Sequence, residues 1–262
     1  MRQIRTFLSS AVFSFKAQFS WLNPSMWLTM KFVLSLSQMA FFVFVGLFIR
    51  GPSVIPFIAI GNALQTVSWN TVFSVIQITS HDKWDGTLPA LLATPASRLP
   101  LFVGRAMLHV FDGMISVVVS FAFATLLFGV DFGKANFLAL AVAVIVTALT
   151  MTGFGLLVGG FAFRFRNPLV FANIFTYILL LFCGINFPVQ DLPAALQPVA
   201  YVFPLTYGVD AARNAIAGTD LLGILPTIGL QLAVGAAAMM LGYFFFQRFE
   251  NMARKSGKLE TA

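Results

Sequence analysis

The chain has 262 residues, 59% of them hydrophobic and only 10% charged, with 31 Phe and a formal net charge of +7; its mean hydropathy is +0.89. Soluble domains carry about 25% charged residues, so this composition excludes a water-soluble fold and points to a chain solvated by lipid. The positive charge does not indicate nucleic acid, because the Lys and Arg residues form no single patch and sit at the ends of apolar runs.

From the N-terminus, Phe7, Leu8, Ala11, Val12, Phe15, Phe19 and Leu22 fall within about 140° of arc at helical spacing, with Arg5, Ser9, Ser10, Ser14 and Lys16 opposite. Phe13 and Gln18 break the pattern. This predicts an interfacial helix lying on the membrane and ending at Asn23-Pro24, within an entry segment 1–31. Lys16 interrupts the apolar run and no small-residue cleavage site follows, so the segment is read as retained rather than as a secretory signal.

A bilayer-spanning helix needs about 20 apolar residues. Six runs qualify or approach that length: 32–49, 54–79, 107–128, 137–163, 169–185 and 221–246. One set of flanks carries Arg2, Arg5, Lys16, Lys31, Lys83, Arg98, Arg105, Arg164, Arg166, Arg248, Arg254, Lys255 and Lys258. The opposite set carries Arg50, Lys134 and Arg213. This bias places both termini in the cytoplasm and makes the even number of spans self-consistent. The predicted fold is an all-α integral membrane domain covering 1–262, with a basic cytoplasmic tail at 248–262.

Two stretches do not read as spans or simple turns. Residues 81–100, HDKWDGTLPALLATPASRLP, carry a small helix pattern of their own. Thr87 is a candidate cap, Pro89 fits the first turn, and Leu88, Leu91 and Leu92 share one face. Pro95 ends the element by disfavouring helix at Thr94. The alternatives are a helix flat on lipid and a lever docked on a cytoplasmic protein. Residues 186–220 lie between spans five and six on the opposite side, yet are too apolar for a free loop. Pro188, Pro193, Pro198 and Pro204 cut this stretch into short pieces, which predicts two short re-entrant helices covered by protein.

Chemical motifs are sparse. No G-x-x-x-x-G-K-[ST] phosphate loop is present, so ATP hydrolysis by this chain is not expected, nor is there a G-x-S-x-G elbow or H-E-x-x-H pair. Cys183 stands alone in an apolar run, leaving no disulfide framework and no cysteine-based metal site. No metal site and no catalytic residue are expected. Asp112 is the ionisable group clearly inside a span, with His109 one turn earlier on the same face. Intramembrane charges are functional candidates. Three readings remain open: a structural pair of Asp112 with Arg105 or His109, a proton or substrate path, and an intramembrane hydrolase. Gly153, Gly155, Gly159 and Gly160 in span four predict close helix packing.

The segment GTLPALLATPASR resembles the G-T-L-E-x-L-L-A-T-P-x-S/T-R signature of ABC exporter permeases of type 2, and INFPVQDLPAALQPVAYVFPLTYGVDAAR resembles the region between spans five and six of that family. Asp82 and Trp84 stand where two acidic residues are usual, and Pro89 where Glu is common. The resemblance implies six spans, an interfacial N-terminal helix and re-entrant helices. It also implies a half-pore that pairs with a second copy or a paralogue in the cytoplasmic membrane of a prokaryote. Asp82, Lys83, Asp85, Gly86, Thr87, Leu88, Leu91, Leu92, Pro95 and Arg98 would couple it to two copies of a separate ABC-type ATPase, which binds ATP and Mg. Arg164 and Arg166 would form secondary contacts. Pro188, Leu192, Pro193, Pro204, Leu205, Thr206, Tyr207 and Arg213 would form the outer gate. The implied activity is export of a hydrophobic or amphiphilic, drug-like substrate, with a lipid-linked polysaccharide or glycolipid as the alternative cargo and a proton-coupled secondary transporter as the alternative machinery.

Overall fold

The computed structural model describes residues 23–73, 76, 98–162 and 168–256. The expected interfacial helix, the coupling residues Asp82 to Pro95, the Arg164 and Arg166 turn and the last six residues of the tail lie outside the described residues. The described chain is helical, without strands. Its elements are α1 (Pro24–Arg50), α2 (Ile55–Ser68), α3 (Arg98–Leu126), α4 (Phe137–Ala162), α5 (Pro168–Phe182), α6 (Gln197–Ala200), α7 (Pro204–Ile216) and α8 (Leu221–Ser256). Among the described residues, four stretches can cross a membrane by length and composition: Ser25–Arg50, His109–Leu126, Phe137–Gly160 and Leu221–Phe245. α5 is a shorter apolar helix, and α2 is a buried helix of 14 residues continued by a wide π-helical turn, Trp69–Phe73.

α1 starts at Asn23-Pro24, the point at which the interfacial helix is expected to end. Asn23 accepts the Ser25 N–H, and Pro24 occupies the first helical position, where no donor is needed. Lys31 therefore lies two turns inside α1. α1 ends at Gly51, whose φ of +81° favours glycine, and Pro52 begins a short 3-10 turn into α2. At the other end of the chain, α8 runs on to Ser256, so residues 248–256 of the expected basic tail are helical.

Hydrogen bonds fix how the helices alternate. Arg50 pairs with Asp191, and the Asn136 N–H donates to the Ala215 carbonyl while its side chain caps α4. The end of α1, the starts of α2, α4 and α8, and the end of α5 thus gather at one pole around α7; the π-helical turn after α2 and the start of α3 lie away from it.

α4 and α8 form the most extensive helix pair. A Cβ on Gly153 would lie 3.1 Å from Met239 Cβ and 3.2 Å from the Gly235 carbonyl, and one on Gly242 would meet the Leu157 backbone. The small-residue packing expected of span four is therefore carried by Gly153 against Gly235, with Gly242 deepening the contact. Hydroxyls within these apolar helices bond carbonyls four residues back, as Thr147, Thr150, Thr152 and Thr176 do. α1 and α5 instead leave large apolar groups outward: Phe41, Phe44, Phe48, Ile49, Ile174 and Tyr177 are exposed.

Candidate functional site

Three features stand out: a buried polar node at the π-helical turn after α2, an arginine clamp at the α7 pole, and an apolar cavity beside the clamp.

The node is assembled from three helices. The π-helical turn shifts the backbone register by one residue and frees carbonyls from the ordinary ladder. Asn70 Nδ2 donates to the Thr66 carbonyl at 2.7 Å, and Thr71 Oγ1 donates to the Val67 carbonyl at 2.9 Å. This turns the Asn70 carbonyl oxygen toward α1, where it accepts from Lys31 Nζ at 2.6 Å. Lys31 also donates to Asp112 Oδ2 at 2.5 Å and to Ser116 Oγ at 2.7 Å, both on α3. The second carboxylate oxygen of Asp112 accepts the Trp27 indole N–H at 3.0 Å. Ser116 closes the network by donating to the Asp112 carbonyl and accepting from Asn70.

The charges of Lys31 and Asp112 cancel, and each has hydrogen-bond partners. A buried ion pair offsets its desolvation only under such conditions. Among the described contacts, the carboxylate of Asp112 is met from α1, by Lys31 and Trp27; His109 is buried one turn earlier on α3. The polar contact continues along the α1–α2 seam. Seven residues farther along α1 and eight back along α2, Gln38 donates to Asn62, which in turn donates to Asn186 at 2.8 Å.

At the other pole, the guanidinium of Arg213 is held by carbonyls alone. It donates to Gly184 at 2.8 Å, Phe57 at 2.8 Å and Ile185 at 3.1 Å, and it stacks 3.4 Å above the Phe57 ring. One side chain of α7 therefore ties the end of α5 to the start of α2. Gly61 makes room for this: a Cβ there would overlap the Ile185 carbonyl and lie 2.8 Å from Arg213 Nη2. α7 is buried through Leu205, Val209, Ala211, Ala212 and Ala215. Gly208 on the same helix packs against Thr147 and Gln231.

Among the other residues assigned to the outer gate, Pro204 begins α7 and Leu205 is fully buried. Thr206 Oγ1 donates to the Ala200 carbonyl and Tyr207 to the Tyr201 carbonyl, fastening α7 to α6. Leu192 is buried beside Val189 and Ala200, Pro188 is half-buried, and Pro193 is exposed. Arg98 is the first residue of α3.

The cavity, about 660 Å³, opens between α1, α2 and α5. Its walls include Phe42, Val45, Gly46, Ile49, Phe57, Ile58, Tyr177, Leu180 and Leu181. Arg50, Ser53 and Asn186 supply its few polar groups. A predominantly apolar lining with sparse polar groups suits an apolar or amphiphilic ligand. Among the described residues no cluster of His, Cys, Asp and Glu gathers that could ligate a metal.

In the sequence Lys31 reads as a flanking charge, and Trp27, Gln38, Asn62, Asn70, Ser116 and Asn186 carry no motif that marks them. The available signal was the Asn23-Pro24 start, which sets Lys31 inside α1 and aligns it with Ser35 and Gln38 on one helical face.

Comparison with known proteins adds a family. A model described as ABC-2 type transporter matches residues 7–217. The "Probable multidrug ABC transporter permease YbhR" of Escherichia coli (strain K12) is 23% identical over 188 residues, covering 68% of this chain and 50% of the relative. YbhS of the same organism, also named a probable multidrug ABC transporter permease, is 23% identical over 162 residues, 61% of this chain and 42% of the relative. The "Linearmycin resistance permease protein LnrN" of Bacillus subtilis (strain 168) is 26% identical over 162 residues, 60% of this chain and 41% of the relative. The chain thus spans about half the length, or less, of these curated relatives.

Proposed function

The chain belongs to the ABC-2 type transporter family, and from that premise we propose that it is the membrane subunit of an ATP-driven exporter. Its cargo is a hydrophobic or amphiphilic, drug- or antibiotic-like molecule moved outward across the cytoplasmic membrane of a prokaryote. The observation that carries the cargo reading is the predominantly apolar cavity between α1, α2 and α5, whose lining has few polar side chains, among them Arg50, Ser53 and Asn186. The names of the relatives, multidrug permeases and a linearmycin resistance permease, support the same class.

In this reading α1, α2, α3, α4, α5 and α8 are six spans with both termini in the cytoplasm, and α6 and α7 are the re-entrant pieces of the outer side. The permease works with a second copy of itself or a paralogue. Two ABC-type ATPase subunits, which bind ATP and Mg, dock on the segment containing Leu88, Leu91 and Leu92, with Arg164 and Arg166 as lesser contacts. Closure of the ATPase pair on ATP supplies the differential affinity that shifts the membrane helices between two states. The α6–α7 cap, held by Arg213, gates the outer end.

A proton-driven mechanism through Asp112 fits the node less well, because both carboxylate oxygens are already engaged by Lys31 and Trp27. ATP hydrolysis by the reconstituted complex, measured against a panel of amphiphilic drugs and glycolipids, tests the reading. Stimulation by drugs supports it; stimulation by glycolipids alone assigns the cargo to the polysaccharide class, and no stimulation by either contradicts it.

A further inference from the structure

We propose that Lys31 is a positioning residue for transport: its ammonium ties α1 to the two helices that bracket residues 74–97, so that displacement of that segment moves the wall of the cavity. This inference rests on the exporter reading and names the route by which its drive reaches the substrate path.

The ammonium of Lys31 sits in a cage of oxygen atoms. Lys31 Nζ carries three N–H donors and has three close oxygen acceptors: Asn70 Oδ1 at 2.6 Å, Asp112 Oδ2 at 2.5 Å and Ser116 Oγ at 2.7 Å. None belongs to its own helix. The amide of Asn70 is spent on Thr66 and Ser116, and the hydroxyl proton of Ser116 on the Asp112 carbonyl. No partner in the set can be withdrawn without stranding another in a low-dielectric interior, which makes the node a rigid joint.

Its position gives the joint a task. Asn70 stands in the last described turn of α2 before residue 74, and Asp112 stands on α3, four turns or about 21 Å past Arg98 at helical rise. α1 has no chain connection to residues 74–97 except through α2, and the bend at Gly51–Pro52 interrupts that route at the far pole. The node joins α1 directly to both arms, at the π-helical turn that follows α2 and four turns into α3. Eleven residues farther along α1, about 16 Å at helical rise, Phe42 begins the cavity wall, which Val45, Gly46 and Ile49 continue. A shift of the two arms therefore carries α1, and with it one side of the cavity.

The test is a distance measurement on the complete permease–ATPase complex in lipid, in a Cys183→Ala background. Spin labels are placed on Cys introduced at Phe48, 93% exposed on α1, and at Leu222, 73% exposed on α8. Trapping ATP is expected to change the distance in the parent complex. The change should vanish in Lys31→Ala while ATP is still hydrolysed, and return in the charge exchange Lys31→Asp with Asp112→Lys. Methylammonium added to Lys31→Ala should also restore it, by placing a cation in the emptied cage, whereas tetramethylammonium, which has no N–H donor, should not. A role confined to folding would lower the yield of complex without removing the change from the complex that forms. An ATP-driven change of unaltered size in Lys31→Ala, or none in the parent complex, overturns the proposal. Should Lys31→Ala not assemble, Ser116→Ala replaces it, with a reduced change expected and an unaltered one overturning the proposal. Failure of the parent chain to bind any ATPase overturns the exporter reading itself and is seen before any label is read.

Discussion

Lys31 and Asp112, 81 positions apart in sequence, meet at 2.5 Å inside the helix bundle. Their side chains are 9% and 13% exposed, and the contact is completed by Asn70, Ser116 and Trp27. Removing one member of a buried pair leaves the other charge uncompensated, at a cost of about 3–5 kcal/mol. Lys31→Met is therefore expected to lower stability by that amount. The double change Lys31→Met with Asp112→Leu should cost less than Lys31→Met alone, because no charge is stranded. Thermal unfolding in nanodiscs checks both, and a double variant weaker than the single one contradicts the assignment.

Arg213 predicts a second effect. Its planar fork reaches carbonyls on two separate segments while stacking on Phe57, an arrangement that a lysine ammonium cannot reproduce. Hydrogen bonds to charged groups contribute about 1.5–3 kcal/mol each, so Arg213→Lys should lose about 2–4 kcal/mol despite keeping its charge. Faster hydrogen exchange confined to α7 and the end of α5 would identify the clamp as the lesion.

Two glycines give a controlled contrast. Gly61 has no space for a methyl group beside Ile185 and Arg213, whereas a Cβ on Gly229 meets nothing within 4 Å. Overpacking typically costs about 1–3 kcal/mol, which is the loss expected for Gly61→Ala. Gly229→Ala, inside α8, should instead be neutral or stabilise by up to about 1 kcal/mol through helix propensity. Melting temperatures of the two variants should move in opposite directions or differ clearly in size.

Val45 tests the cavity. It is 41% exposed and lines the space between α1 and α5. Val45→Trp should fill part of that volume and raise the drug concentration giving half-maximal ATPase stimulation about tenfold, equivalent to about 1.4 kcal/mol of binding. Unfolding should shift by no more than about 0.5 kcal/mol, as for ordinary surface changes. An unaltered drug response would remove the cavity from the substrate path.

The long apolar helices were legible because lipid demands runs of apolar residues, and α4 and α8 satisfy that demand almost without interruption. The short pieces around α6 and α7 were legible because Pro188, Pro193, Pro198 and Pro204 interrupt an apolar stretch. Lys31 was not. A lysine at the edge of an apolar run looks like a headgroup anchor, and only the capped start at Asn23 sets it two turns inside the helix. Asp112 was visible as a charge within a span, but its partner comes from a helix 81 positions away, a distance at which local spacing carries no information. The π-helical turn that aims Asn70 has no comparable local signature, and it lies against α3, α4 and α5, which are distant in sequence. The cavity, likewise, exists only once α1, α2 and α5 are assembled.

The proposed exporter role is tested most directly by export of an amphiphilic dye from proteoliposomes containing the chain with its cognate ATPase, beside the Leu91→Asp and Leu92→Asp variants. Dye movement is expected to require ATP and both subunits, and to be lost in both variants together with binding of the ATPase. ATP-driven movement that persists unchanged in both variants, or dye movement by the permease alone on a proton gradient, would contradict it.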